Sequence, residues 1–159
     1  MGYHVTILRT EAGIQRQITE DEVRRAIVPM AGRLEVYPDT NEFWLYQPAL
    51  GEKSEILILD KDEGELWAKT PGETFTALMI ELAGYLGARV RGEELETYRS
   101  LDDVYIHSDD QAEWDLAYSP EARKSTRSRA AGQTRHRLAM CALIAVVLSA
   151  IVLLLRHFA

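Results

Sequence analysis

Apolar and polar positions alternate from the start of the chain. In Tyr3-His4-Val5-Thr6-Ile7-Leu8, residues Tyr3, Val5 and Ile7 share one side, the period of a β-strand. Thr19-Glu20-Asp21-Glu22 then has the form of a capping box, with Thr19 as N-cap and Glu22 three residues on, and predicts a helix ending near Pro29. Four short strand-like runs come next: Leu34 to Tyr37, Phe43 to Tyr46, Glu55 to Leu59 and Glu65 to Ala68. Pro38-Asp39, Pro48, Gly51 and Asp62-Glu63-Gly64 separate them, the last as a hairpin turn. The period then changes. Phe75, Leu78, Met79, Leu82 and Leu86 fall on one helical stripe, with Thr70, Pro71 and Glu73 as start signals and Gly87 as the stop. Ala88 to Arg91 reads as a returning strand, and Gly92 to Pro120 as an irregular acidic extension. The expectation is a small α+β domain over residues 1–120, a mainly antiparallel sheet with two helices, the second closing the core.

A different pattern ends the chain. Leu138 to Leu155 is 18 residues without a charge, Ser149 being its one clearly polar side chain. As a helix at ~1.5 Å per residue this would span roughly 27 Å, close to the hydrocarbon thickness of a bilayer. No polar stripe interrupts it, so it predicts a transmembrane helix over 138–155 rather than a helix of a soluble core. Cys141, Ala145 and Ser149 recur every fourth residue, a stripe of small side chains that would let two such helices pack as a homodimer.

Charge sharpens this division. Up to Pro120 there are 11 Lys and Arg against 24 Asp and Glu, whereas residues 121–137 hold six basic residues and one acid. An acidic head, a basic flexible linker and an apolar span result, with residues 156–159 beyond it. The basic flank puts the head in the cytoplasm of a single-pass, tail-anchored protein, and no apolar leader at the N-terminus opposes that orientation. Such a head repels nucleic acid and suits a basic protein partner; the same charge also keeps a small domain soluble.

Catalytic signatures are scarce. No phosphate-binding loop, dinucleotide fingerprint, nucleophile elbow or zinc-protease helix occurs, and the lone cysteine, Cys141, lies inside the apolar span. The Met1-Gly2 start fits a myristoylation pattern, but the same residues open a strand. Asp102-Asp103 and Asp109-Asp110 bracket His107 with oxygen ligands for a cation, yet without the glycine and terminal glutamate of a calcium loop they read as a solvated acidic stretch. No enzyme, cofactor or metal is expected. Candidates for partner binding are the aromatic residues Trp44, Tyr46 and Trp67 together with Asp102, Asp103, Asp109 and Asp110.

Two stretches carry a family resemblance. Tyr3-His4-Val5-Thr6-Ile7 with Arg9, then Ile18 and Glu22, resembles small uncharacterised bacterial proteins that open YHVTITR and start a helix with I-[ST]-x-x-E. Leu66 to Pro71, then Met79, Leu82-Ala83, Leu86 to Val90 and Gly92-Glu93-Glu94, look like that group's K-N-P turn and its L-G-A-x-V-x-G-D-[ED]-G-E ending. Thr70 replaces Asn, a change expected to keep the cap, and Leu95 replaces Gly, a change expected to alter the turn. The resemblance covers roughly the first hundred residues and implies kinship with accessory or immunity proteins of bacterial toxins. Joined to the expected anchor and the scarcity of catalytic signatures, the expectation is a tail-anchored, non-enzymatic protein that binds a toxin or effector at the membrane. The alternative is an anchored scaffold that self-associates through its span.

Overall fold

The computed structural model of the chain describes residues 2–38 and 40–119. The expected span at 138–155, its packing residues Cys141, Ala145 and Ser149, the basic linker and the far-side tail lie outside the described residues. Among the described residues no helix is long and apolar enough to cross a membrane.

The α+β expectation holds for the head. Nine strands, all paired antiparallel, form one sheet: β1 (His4–Glu11), β2 (Ile14–Arg16), β3 (Glu35–Val36), β4 (Phe43–Tyr46), β5 (Leu57–Asp60), β6 (Glu65–Lys69), β7 (Arg89–Gly92), β8 (Glu96–Tyr98) and β9 (Val104–Ile106). Their order is β3-β4-β5-β6-β1-β7-β8-β9, with β2 pairing to the far half of β1. The helices are α1 (Glu20–Ala26), α2 (Glu73–Leu86) and α3 (Gln111–Tyr118). The sheet, α1 and α2 belong to a compact unit that extends to Trp114.

β1 holds the centre. Its residues Val5 to Ile7 pair with β6 on one side and β7 on the other. β6 and β7 both run against β1, so they are parallel to each other and need a crossover; α2 supplies it. Alternation then sorts the side chains. Val5, Ile7, Phe43, Leu45, Leu57, Leu59, Leu66, Ala68 and Val90 are buried in one core with the α2 stripe of Phe75, Leu78, Met79, Leu82 and Leu86. Every member of the predicted stripe is in that core. Val23 from α1, Ile18, Met30 and Leu34 complete it.

The capping box at Thr19 is formed as expected: the Glu22 N–H donates to the Thr19 hydroxyl at 3.4 Å and the Thr19 N–H to the Glu22 carboxylate at 2.8 Å. Glu22 also takes both Nη atoms of Arg9 at 3.0 Å, and the same guanidinium donates to the carbonyls of Leu86 and Gln17 at 3.2 and 2.6 Å. One side chain of the central strand thus ties the start of α1 to the end of α2. The Thr19 N–H, with Arg9 in a lesser role, holds the Glu22 carboxyl below the usual carboxylate range.

Several expectations are corrected. The N-cap of α2 is Gly72, not Thr70, and no side chain caps it. The Gly72 N–H donates instead to the Glu55 carboxylate. Thr70 is held by the sheet: its N–H donates to the Tyr3 carbonyl and its φ is 48°. That left-handed conformation suits Asn better than a β-branched residue, so Thr70 carries strain there. The described part of the expected irregular extension, residues 92–119, is not irregular. It holds β8, β9 and a third helix, α3, and the strands, of three residues each, are too short to show a period. β1 runs on to Glu11 and turns through Ala12 and Gly13, both at positive φ, into β2, a hairpin whose Ala-Gly turn lacks the usual Asn or Asp signal.

Leu95 sits at the end of the β7–β8 turn. That residue adopts the glycine-type backbone, at φ 67°, and ends a three-residue loop in which its N–H reaches the Gly92 carbonyl at 3.2 Å. Leu95→Gly is therefore expected to stabilise the head by roughly 0.5–1 kcal/mol, by relieving the left-handed strain against the added chain entropy of glycine. Leu82→Ala, in the fully buried stripe, should cost about 2–5 kcal/mol. Chemical denaturation followed by tryptophan fluorescence checks both signs.

Candidate partner-binding face

The sheet has a second face, opposite the core. Residues directly across a strand pair project to the same side, so register alone defines its rows. One row runs Trp44, Ile58, Trp67, Thr6, Arg91, Thr97 and Tyr105 across seven neighbouring strands. Its two ends differ in kind.

At the β4–β6 end the face is open. Trp44, Ile58 and Trp67 are half-buried although their neighbours in sequence are fully buried on the other side. Tyr46, two residues from Trp44, joins them. Tyr37 packs against both, with ring centroids 6.1 Å from Trp44 and 5.0 Å from Tyr46. His4 stands edge-on to Trp67 at 5.4 Å and makes a 2.6 Å contact from Nδ1 to Glu93. The Trp44 indole N–H donates to Glu42 at 2.7 Å. Burial holds the Glu65 carboxyl, two residues before Trp67, above the usual range, against the opposing effect of Arg91. These aromatic rings have fixed neighbours and one wet side, the condition of a protein-docking surface.

At the other end the face is covered over β7 and β8, while Tyr105 on β9 stays exposed. Arg89 and Arg91 alternate about buried Val90 and meet the carboxylate of Asp110, which is 4% exposed. Both Nη atoms of Arg89 donate to it at 3.0 Å, and Arg91 Nη1 does so at 3.1 Å. Leu8 and Thr97 are buried at this end, and the Thr97 hydroxyl has no hydrogen-bond partner among the described residues.

Trp44, Tyr46 and Trp67 thus come together, while the four aspartates do not join them. Asp110 is an internal anchor, with both carboxylate oxygens taken by arginines. Asp109 accepts from the Thr10 hydroxyl at 2.5 Å and lies 3.7 Å from His107 Nδ1. Asp103 accepts from Arg99 at 2.8 Å, and the same guanidinium lies 4.6 Å from the Tyr105 ring centre. Asp102 lines a separate cleft with Tyr3, Glu73 and Tyr98. Among the described residues no group of three His, Cys, Asp or Glu side chains is placed to hold a metal ion.

Beside Asp102, Glu96 accepts from the hydroxyls of Tyr3 and Tyr98, the second at 3.0 Å. The three groups meet over Gly92, where any Cβ would collide with the Tyr3 hydroxyl and the Glu96 carboxylate. Burial, reinforced by Glu96, pushes the Tyr98 phenol up to about 12.

Sequence reasoning missed Tyr37, Ile58 and Glu42 on the open face and the Arg89–Arg91–Asp110 anchor. The Arg-Val-Arg alternation of β7 signals two arginines on one face, but nothing local points to the acid that joins them. No family model matches the chain, and neither does any curated protein or solved structure.

Asp110→Asn leaves two guanidiniums without their counter-charge and should cost about 3–5 kcal/mol, read from denaturation midpoints. The folded-state pKa of Tyr98 lies above the ordinary tyrosine value near ~10. Its contribution to stability is therefore complete below that pH and is lost as pH rises towards 12. Tyr98→Phe should remove a phenol ionising near pH 12 from an alkaline absorbance titration.

Proposed function

We propose that the chain is a membrane-tethered, non-enzymatic binding module whose open sheet face covers a basic protein, as an immunity-type protein covers a toxin or effector. The observation that carries this reading is the half-buried row Trp44–Ile58–Trp67, flanked by Tyr37 and Tyr46. Rigid aromatic anchors at the centre of a face, with charge at its rim, are what protein recognition uses. Glu42, Asp60 and Glu65 lie on or beside that row and make its β4–β5 side acidic, while Lys69 stands beyond Trp67 on the same face. Opposite charge speeds encounter and rejects acidic competitors, whereas the aromatic contacts set the dissociation rate.

Tethering is supported by the uncharged run of 138–155 and its basic flank. An anchored head is confined near the surface a membrane-directed toxin must reach, which raises its effective concentration there without any further contact. The lack of catalytic signatures agrees with a protein that works by occlusion.

Affinity capture of the full-length protein from its native cells, in mild detergent and read by mass spectrometry, tests this. One basic protein should be recovered with the wild type and lost with a Trp44→Ala/Tyr46→Ala variant whose circular dichroism is unchanged. Recovery of the same protein with that variant would move the docking surface elsewhere. Recovery of no basic protein would remove the reading.

A further inference from the structure

The open face is not flat. Where β4, β5 and β6 meet the β5–β6 turn there is a cleft of about 370 Å³, lined among others by Asn41, Glu42, Ile58, Asp60, Asp62 and Trp67. The half-buried indole of Trp67 and the side chain of Ile58, partners in register, supply apolar surface.

The polar lining is one-sided. Lys61 is the single basic residue there, and its ammonium is drawn away to Glu20 at 2.9 Å. One oxygen of Glu42 accepts from Trp44, which orients the carboxylate beside the aromatic row. Asp60 uses Oδ1 for the turn, accepting from the Asp62 and Glu63 N–H groups at 3.0 Å. Acceptors thus stand around an indole; the lining cation Lys61 is paired with Glu20, and the nearby Arg24 guanidinium lies 4.9 Å from the ring centre of Phe43, another lining residue, rather than on Trp67.

We propose that this cleft is the receptor for an arginine side chain of the partner, its guanidinium stacked on Trp67 and its N–H fork held by Glu42, Asp60 and Asp62. The inference rests on the open face being the docking surface and names the residue type that enters it. A planar, weakly hydrated guanidinium can stack on an indole and bond carboxylates at its edge in one pose. A lysine ammonium offers a compact charge, keeps its hydration and cannot make that paired arrangement. Buried arginines in pockets of this kind are frequent binding hot spots.

Full-length protein in mild-detergent micelles is titrated with tetra-arginine, tetra-lysine and tetra-citrulline peptides, the last matching arginine in shape without its charge. The readout is the indole N–H resonance of Trp67 together with tryptophan fluorescence. Tetra-arginine should bind saturably and shift the Trp67 resonance, tetra-lysine more weakly, and tetra-citrulline not at all. Asp62→Asn and Glu42→Gln, both isosteric, should each weaken tetra-arginine by about two- to fivefold, and Trp67→Leu by roughly fivefold or more. Equal binding of tetra-citrulline, or undiminished binding to all three variants, overturns the proposal. If the captured basic protein is retained by these variants but lost from Trp44→Ala/Tyr46→Ala, the arginine receptor falls and the docking face stands. If neither the peptide nor any cellular basic protein binds, the docking face falls and the receptor with it.

Discussion

The pairing of β1 on both of its edges is the constraint on which the rest of the head depends. Val5 to Ile7 hydrogen-bond to β6 and β7 together, so the first residues of the chain must wait for two strands far along it. Those two strands run parallel to each other, and only a crossover can join them; α2 is that crossover and closes the core as it passes. Arg9, near the far end of the same strand, then ties the start of α1 to the last turn of α2. The carbonyl of Leu86, left over where α2 ends, finds its donor there. A single strand therefore positions the sheet neighbours, the crossover and both helix termini.

Because β1 is central, its two faces set the character of the molecule. One face supplies Val5 and Ile7 to the core. The other divides into a covered end and an open end. The covered end is held by a charged group: two guanidiniums share one buried carboxylate, while burial pushes the Arg89 pKa down. Such groups tolerate no loss of a member, because the remaining charge would be left in a low-dielectric site. At the open end the same sheet presents rings instead of ion pairs. Rings accept partial exposure at little cost, and they are the groups that gain most when a partner excludes the water.

Local conformation carries a second set of tensions. Thr70 and Leu95 both occupy left-handed backbone that favours Asn or Gly. They flank the crossover: one leaves β6 for α2, the other turns out of β7. At Thr70 the backbone is held by its N–H to the Tyr3 carbonyl and at Leu95 by the pairing of β7 with β8, and the side chains conform to it. At Leu95 the turn is closed by β7 and β8, which hold its two ends in register.

By itself the sequence determined what short-range physics decides. Thr19 and Glu22 announce a capping box within four residues, the apolar stripe of α2 repeats with the helical period, and Gly87 ends it in the left-handed cap that glycine favours. The strands from Phe43 to Lys69 and the hairpin at Asp60–Glu65 were legible for the same reason. Strands of three residues, such as β8 and β9, carry too few alternations to be seen, and the Ala12-Gly13 turn lacks its usual signal. Only tertiary structure decided the candidate face. Trp44, Tyr46 and Trp67 were visible as aromatic residues on strands, but their sharing of one face with Ile58 depends on register between strands. The acid run from Asp102 to Asp110 looked uniform, yet Asp110 is buried between two arginines while Asp102 and Asp103 stay exposed. Sequence records which charges a chain carries; packing decides which of them answer one another inside and which stay at the surface.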